Sequence, residues 1–274
     1  MRKGPVAALK KEELQRHTHE WLKLNRRLYR AADELCGKLR HPATQAQFEC
    51  TCYIFLERGA KTLRAVNVLY EDKLDDQGQA FIRVLIENWI NFTWFIRIVD
   101  SERERGIQRF WDALDLDYFK QLELGSESDM DESPIMQDVR AREAEIRSRY
   151  SNDQFKLLRK HGFTLRSIEQ RMRELGYFTY YRYFFRTISR NIHASDHLEL
   201  RTRLFDPNRH SPIENTSFAL AQWSLLGICD VLNRRFRLDA GKKLDDIALA
   251  LDRLIDATDA LPKRPVTSMP GPSG

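Results

Sequence analysis

An all-α fold is what this sequence predicts, and three observations carry the prediction. Apolar residues recur at helical spacing along most of the chain. Chain breakers are scarce, with Gly 12 and Pro 9 in 274 residues. No stretch alternates apolar and polar side chains as a half-buried strand would. Hydrophobic residues at 42% and charged residues at 31% describe a chain able to bury a core, which excludes wholesale disorder.

Residues 6–40 read as one long helix. Leu14, Trp21, Leu28 and Leu35 recur every seventh position, and Leu24 and Ala31 follow three further on. That seam either packs on its own domain, the favoured reading, or forms a homodimeric coiled coil. His41-Pro42 ends the helix, because the residue before proline is pushed out of the helical region. A second helix covers 44–70, with Phe48, Phe55, Leu56, Leu63, Val66 and Leu69 on its apolar positions. A third, 77–99, is apolar nearly all round and should form the centre of a bundle. Its polar exceptions Arg83, Glu87 and Asn91 fall four apart and share one face. They form either a buried pair with a helix-tying amide or the lining of a site.

A fourth helix spans 102–124 and runs into the turn-rich stretch 125–134. From Asp112 to Glu132 there are eight acidic residues against Lys120 alone, which reads as solvated, mobile surface. Between Arg140 and Arg190 the sign reverses, with thirteen Arg/Lys and five Asp/Glu. The whole-chain excess, Lys+Arg 45 against Asp+Glu 40, is therefore mild only because opposite local charges cancel. Thr164 is the expected cap of a helix over 165–175 that stops at Gly176. An aromatic-dense helix follows from Tyr177 to about His197, then a loop at 200–213 and helices near 215–237 and 242–260. The organisation expected is a helical arm at 1–42, a bundle at 43–261 and a disordered tail at 262–274.

The four cysteines, Cys36, Cys50, Cys52 and Cys229, match no redox or zinc spacing and read as reduced thiols. The basic N-terminus leads into charge and not into an apolar run, and 81–99 carries too much charge for a bilayer span. A cytoplasmic protein with no membrane partner is expected, and neither a Gly-rich phosphate loop nor an internal repeat is present.

One helix face carries candidate chemistry. Arg186, Arg190, His193 and His197 fall at i, i+4, i+7 and i+11. On a helix they would form a row roughly 16 Å long within about 60° of arc. Histidine can take a proton near neutrality, and arginine holds phosphate oxygens and stabilises charge building on phosphorus. Together they suffice for attack of an RNA 2′-hydroxyl on its neighbouring phosphate without a metal. Other chemistries stand beside that one. His193 and His197 with Asp196 or Glu87 would make half a metal site, and Ser189, His193 and Glu87 an imaginable hydrolase triad. The histidines could also be hydrogen-bonded core residues, and the aromatics plain core.

Arg190-Asn191 with His197, and Arg186-Thr187 with His193, resemble the Arg–polar–His signature of the HEPN superfamily of small helical ribonucleases. That resemblance implies a homodimer whose two late helices meet in a composite RNA-cutting site. It also implies a toxin or phage-defence setting with an antitoxin or regulatory partner. A broader stretch, about residues 75–200, is similar to a bacterial family catalogued as domain of unknown function 5677. The similarity rests on Arg83-x-x-x-Glu87-x-x-x-Asn91, Leu175-Gly176, Tyr180 or Tyr181, Tyr183 and Arg186-x-x-Ser189-x-x-x-His193-x-Ser195. It favours Ser189 and His193 over His197 and implies that Arg83 and Glu87 face the same site. The leading expectation is thus a cofactor-free, metal-independent endoribonuclease. In it His193 or His197 is the base, Arg186 and Arg190 hold the phosphate, and Ser189 and Asn191 orient them. Its rival is a non-catalytic helical interaction protein with a structural Arg/Glu/His network.

Overall fold

The computed structural model describes residues 6–39, 47–125, 133–180 and 212–258. Among the described residues the chain is all-α, with no strand. The helices are α1 (Val6–Leu39), α2 (Gln47–Glu71), α3 (Asp75–Glu102), α4 (Glu104–Gly125), α5 (Pro134–Ser148), α6 (Asn152–His161) and α7 (Ile168–Glu174). After a helical turn at Phe178–Tyr180 come α8 (Pro212–Phe236) and α9 (Gly241–Ala257). The expected break at His41-Pro42, the turn around Asp206-Pro207-Asn208 and the tail at 262–274 lie outside the described residues.

The chain divides into two compact units. One comprises the residues up to Trp89 together with those from Thr179 onward, and the other is Ile90–Phe178. In the first unit, α1 lies against α2, α8 and α9. The heptad seam is what it buries, with Trp21, Leu24, Leu28, Ala31 and Leu35 all less than 5% exposed. Packing on its own unit therefore consumes the stripe that a coiled coil would have used. Trp21 stacks on Phe218 of α8, whose ring in turn meets Tyr70 of α2 at 4.5 Å. Burying rings of this size supplies a large part of a small core.

Two glycines allow that closeness. A Cβ on Gly59 would stand 2.9 Å from Leu225 Cδ1, and one on Gly227 would stand 2.9 Å from the Trp89 indole nitrogen. The polar groups trapped here are mainly neutral. Gln222 donates to Asn25 Oδ1 at 2.7 Å and to the Trp21 carbonyl at 3.1 Å, and Gln79 donates to the Tyr70 hydroxyl at 2.6 Å. The cysteines are unbridged, and burial pushes the Cys52 and Cys229 thiols far above their usual range.

The second unit is smaller, and its core is an aromatic knot. Phe95 from α3, Phe110 from α4 and Phe163 from the 3₁₀ turn at Gly162–Thr164 meet at 5.0 to 6.2 Å between ring centres. Two capping boxes place its short helices. Ser151 and Gln154 exchange side-chain and backbone bonds at the start of α6, and Ser167 and Gln170 do so at α7. The expected cap Thr164 is displaced by Ser167. Thr164 sits in the 3₁₀ turn, where its hydroxyl donates to the carbonyls of His161 and Arg166. Gly176, at φ 79°, ends the segment as expected, with Tyr177 N–H returning to the Met172 carbonyl at 2.7 Å.

The acidic stretch from Asp112 needs correction. Asp112, Asp115 and Asp117 lie on α4, as the expected helix over 102–124 has them, but Asp112 is completely buried and not solvated. Its carboxylate accepts from Arg149 at 2.5 Å, from the Tyr150 hydroxyl at 2.8 Å and from Gln108 at 2.9 Å. Asp115 pairs with Arg142 at 3.5 Å. The helical period that puts Asp112 in line with the buried Leu116 and Phe119 turns it inward, and Arg149, the C-cap residue of α5, supplies the neutralising charge.

Candidate functional site

The family of candidate residues splits between described and undescribed segments. Arg186, Ser189, Arg190, Asn191, His193 and His197 lie outside the described residues. Arg83, Glu87 and Asn91 are described, at successive four-residue steps along the continuous helix α3.

Arg83 and Glu87 belong to the first unit. The Arg83 Nε donates to Glu87 Oε1 at 3.1 Å, and the side chains are 28% and 36% exposed. The pair is thus half-exposed, not sealed in a core, so each group keeps access to water or a ligand. A pair of this exposure adds little stability, on the order of 0–1 kcal/mol. One stripe of the helix that carries it is buried, with Ile82, Leu85, Ile86 and Ile90 at most 4% exposed, whereas Phe81 is 41% exposed.

Asn91 belongs to the second unit, where its side-chain oxygen accepts from the Arg171 guanidinium of α7. Arg171 is only 8% exposed, and its Nε also donates to the Ser167 carbonyl at 3.4 Å. Its position follows from the Ser167 capping box, which starts α7 at Ile168 and turns residue 171 inward. The amide of Asn91 therefore orients a buried cation and ties α3 to α7.

Close by stands a grouping that the sequence reading passed over. His161, the last residue of α6, is half-buried and lies within the electrostatic reach of Lys160 and Arg171. Burial first, and then those two cations, hold its imidazole below the usual value. The ring is neutral near pH 7 and can accept a proton, beside charges suited to an anion. The visible signal was the run Arg159-Lys160-His161 closing a helix, with Arg171 on the next one.

Among the described residues no group of His, Cys, Asp and Glu is arranged to hold a metal ion. No helix there is long and apolar enough to cross a membrane. No curated protein and no solved structure matches the chain. A family model does match: it covers residues 50–210, more than half of the 274, including Arg83, Glu87, Asn91, His161, Arg171 and the whole Arg186–His197 row. On that match the chain belongs to the family described as "Family of unknown function (DUF5677)".

Proposed function

We propose that this chain is a metal-independent endoribonuclease of HEPN type, working in the cytoplasm as a homodimer. The observation that carries the reading is the sequence spacing of Arg186, Arg190, His193 and His197, which on a helix would line up two guanidiniums and two imidazoles along one face. In this reading His193, or His197, takes the proton from an RNA 2′-hydroxyl. Arg186 and Arg190 hold the phosphate and stabilise the charge that grows on it. Ser189 and Asn191 orient them, and Arg83 and Glu87 face the same phosphate. Its setting is a toxin or phage-defence pathway, with an antitoxin or regulatory protein as partner.

The cations Lys160 and Arg171 beside His161 support an anionic ligand within the same stretch of chain. A specific observation also favours a second reading, a non-catalytic interaction protein. Arg83 is bonded to Glu87 and Asn91 to Arg171, so these polar groups already serve one another.

Incubating the purified full chain with mixed RNA in EDTA separates the two. The nuclease reading expects fragmentation by wild type, with loss in Arg190→Ala and His193→Ala variants that melt like wild type. Equal fragmentation by wild type and the double variant, or none by either, leaves the interaction reading standing.

A further inference from the structure

On the first unit, away from the residues matched by the family model, α1 and α9 leave an open cleft of about 300 Å³ between them. Its aliphatic lining is Leu24, which is buried, with Ala250 and Leu254 half-buried and Ala257 exposed at the edge. Its rim is cationic, with Lys23, Arg27 and Arg253. Arg27 and Arg253 are exposed and make no ion pair among the described residues. Lys23 has only a long 3.9 Å approach to Glu20, the single acid lining the cleft.

We infer that this cleft is a docking site for an acidic peptide segment of a partner protein, seated by an aliphatic side chain beside carboxylates. Three features fit that occupant. The volume lies at the small end of ligand pockets, roughly 300–1,000 Å³, and suits side chains better than a whole cofactor. The floor offers Leu and Ala and no aromatic ring, so a nucleobase would find nothing to stack on. The two guanidiniums hold forked donors in the open, and a carboxylate accepts such a fork through both oxygens. Leu24 stays 4% exposed at the bottom, so an apolar side chain entering from above extends the core already built there. The chain's own last residues are ill-suited, since Lys263 and Arg264 would bring positive charge to a positive rim. The inference does not depend on the nuclease reading, because no residue is shared.

The test uses the full chain and an array of labelled twelve-residue peptides. These vary the number of Glu residues and carry either Leu or Ser at the central positions, and binding is read by fluorescence anisotropy at low and high salt. Peptides with both acids and Leu should bind wild type. Arg27→Glu with Arg253→Glu should weaken them about tenfold or more without changing the melting temperature, since neither side chain makes an ion pair among the described residues. Gln-for-Glu peptides should not bind, and Lys156→Glu, on α6 of the other unit, should bind as wild type. The inference is overturned if no peptide distinguishes wild type from the double reversal, or if Lys156→Glu weakens binding equally. It is equally overturned if single-stranded RNA, and not the peptides, is what the double reversal releases.

Discussion

The two units solve the burial of polar groups in opposite ways. The first traps neutral amides: Asn25 and Gln222 are 0% exposed, Asn67 2%, Asn88 3% and Gln79 4%. Several keep one atom unsatisfied, Asn25 Nδ2 and Gln222 Oε1 among them. The second traps charge, with Asp112 at 0% exposed under Arg149 and Tyr150, and Arg171 at 8% against Asn91. Neutral amides fix register without responding to pH or salt, whereas buried ions respond to both. The unit with the smaller core is thus the one whose stability is tied to charge.

The largest effect should come from the first unit's aromatic stack. Trp21→Ala removes a fully buried indole between α1 and α8 and should cost about 3–5 kcal/mol in urea unfolding. Hydrogen exchange should show the loss in α1, α2 and α8. An equal loss of protection in α5 and α6 would erase the distinction between the units.

Next is Asp112→Ala, expected to cost about 2–3 kcal/mol. It strands the Tyr150 hydroxyl and Gln108, while Arg149, with its side chain 29% exposed, can still reach water. The Tyr150 phenol offers a matching optical check. Burial first, and then its bond to Asp112, push it far above the usual tyrosine range. A raised value means that its stabilisation is complete below the ordinary phenol pKa and fades only as pH climbs beyond it. Absorbance of tyrosinate should therefore show one residue resisting ionisation, and Asp112→Ala should lower that resistance in part, since burial remains.

A smaller effect is expected from converting Asn25 and Gln222 together to Leu. Replacing both partners removes the unsatisfied atoms along with the bond, so stability should stay within about 1 kcal/mol of wild type, whereas either single change should cost more. A double variant as damaged as the sum of the singles would contradict the view that these amides fix register more than they stabilise.

The smallest effect belongs to His161. Its imidazole is held below the ordinary histidine value of 6.5, so the unfolded chain binds the proton more readily. The stabilisation from the neutral ring is present above pH 6.5 and is lost as pH falls below it. His161→Gln should flatten that part of the stability–pH curve, and an unchanged slope would show that the ring is not perturbed.

Much of the fold was legible because it depends on period alone. The seam Trp21, Leu24, Leu28, Ala31 and Leu35 and the α3 residues Ile82, Leu85, Ile86 and Ile90 are core in the structure as in the pattern, whereas Phe81 is exposed. What escaped was decided by partners distant in sequence. Nothing near Asp112 announces that Arg149, thirty-seven positions on, will neutralise it, so an acidic run looked solvated. The start of α7 was misplaced by three residues, although Ser167-x-x-Gln170 spells a capping box as plainly as Ser151-x-x-Gln154 does. Of the candidate site, the Arg186–His197 row lies outside the described residues, and only Arg83, Glu87 and Asn91 can be followed on α3. Only packing revealed that Arg83 and Glu87 are half-exposed and that Asn91 is held by Arg171.

The most direct test of the nuclease proposal is the chemistry of the ends it leaves on RNA. A 5′-labelled oligoribonucleotide would be cut in EDTA by wild type and by His193→Ala and His197→Ala proteins of equal melting temperature. Attack by the 2′-hydroxyl breaks the phosphorus–5′-oxygen bond, so the account expects 2′,3′-cyclic phosphate and 5′-hydroxyl ends. The rate should fall about 10²–10⁴-fold when the histidine acting as base is removed. Ends bearing 3′-hydroxyl and 5′-phosphate, or cutting at the wild-type rate by both variants, would contradict it.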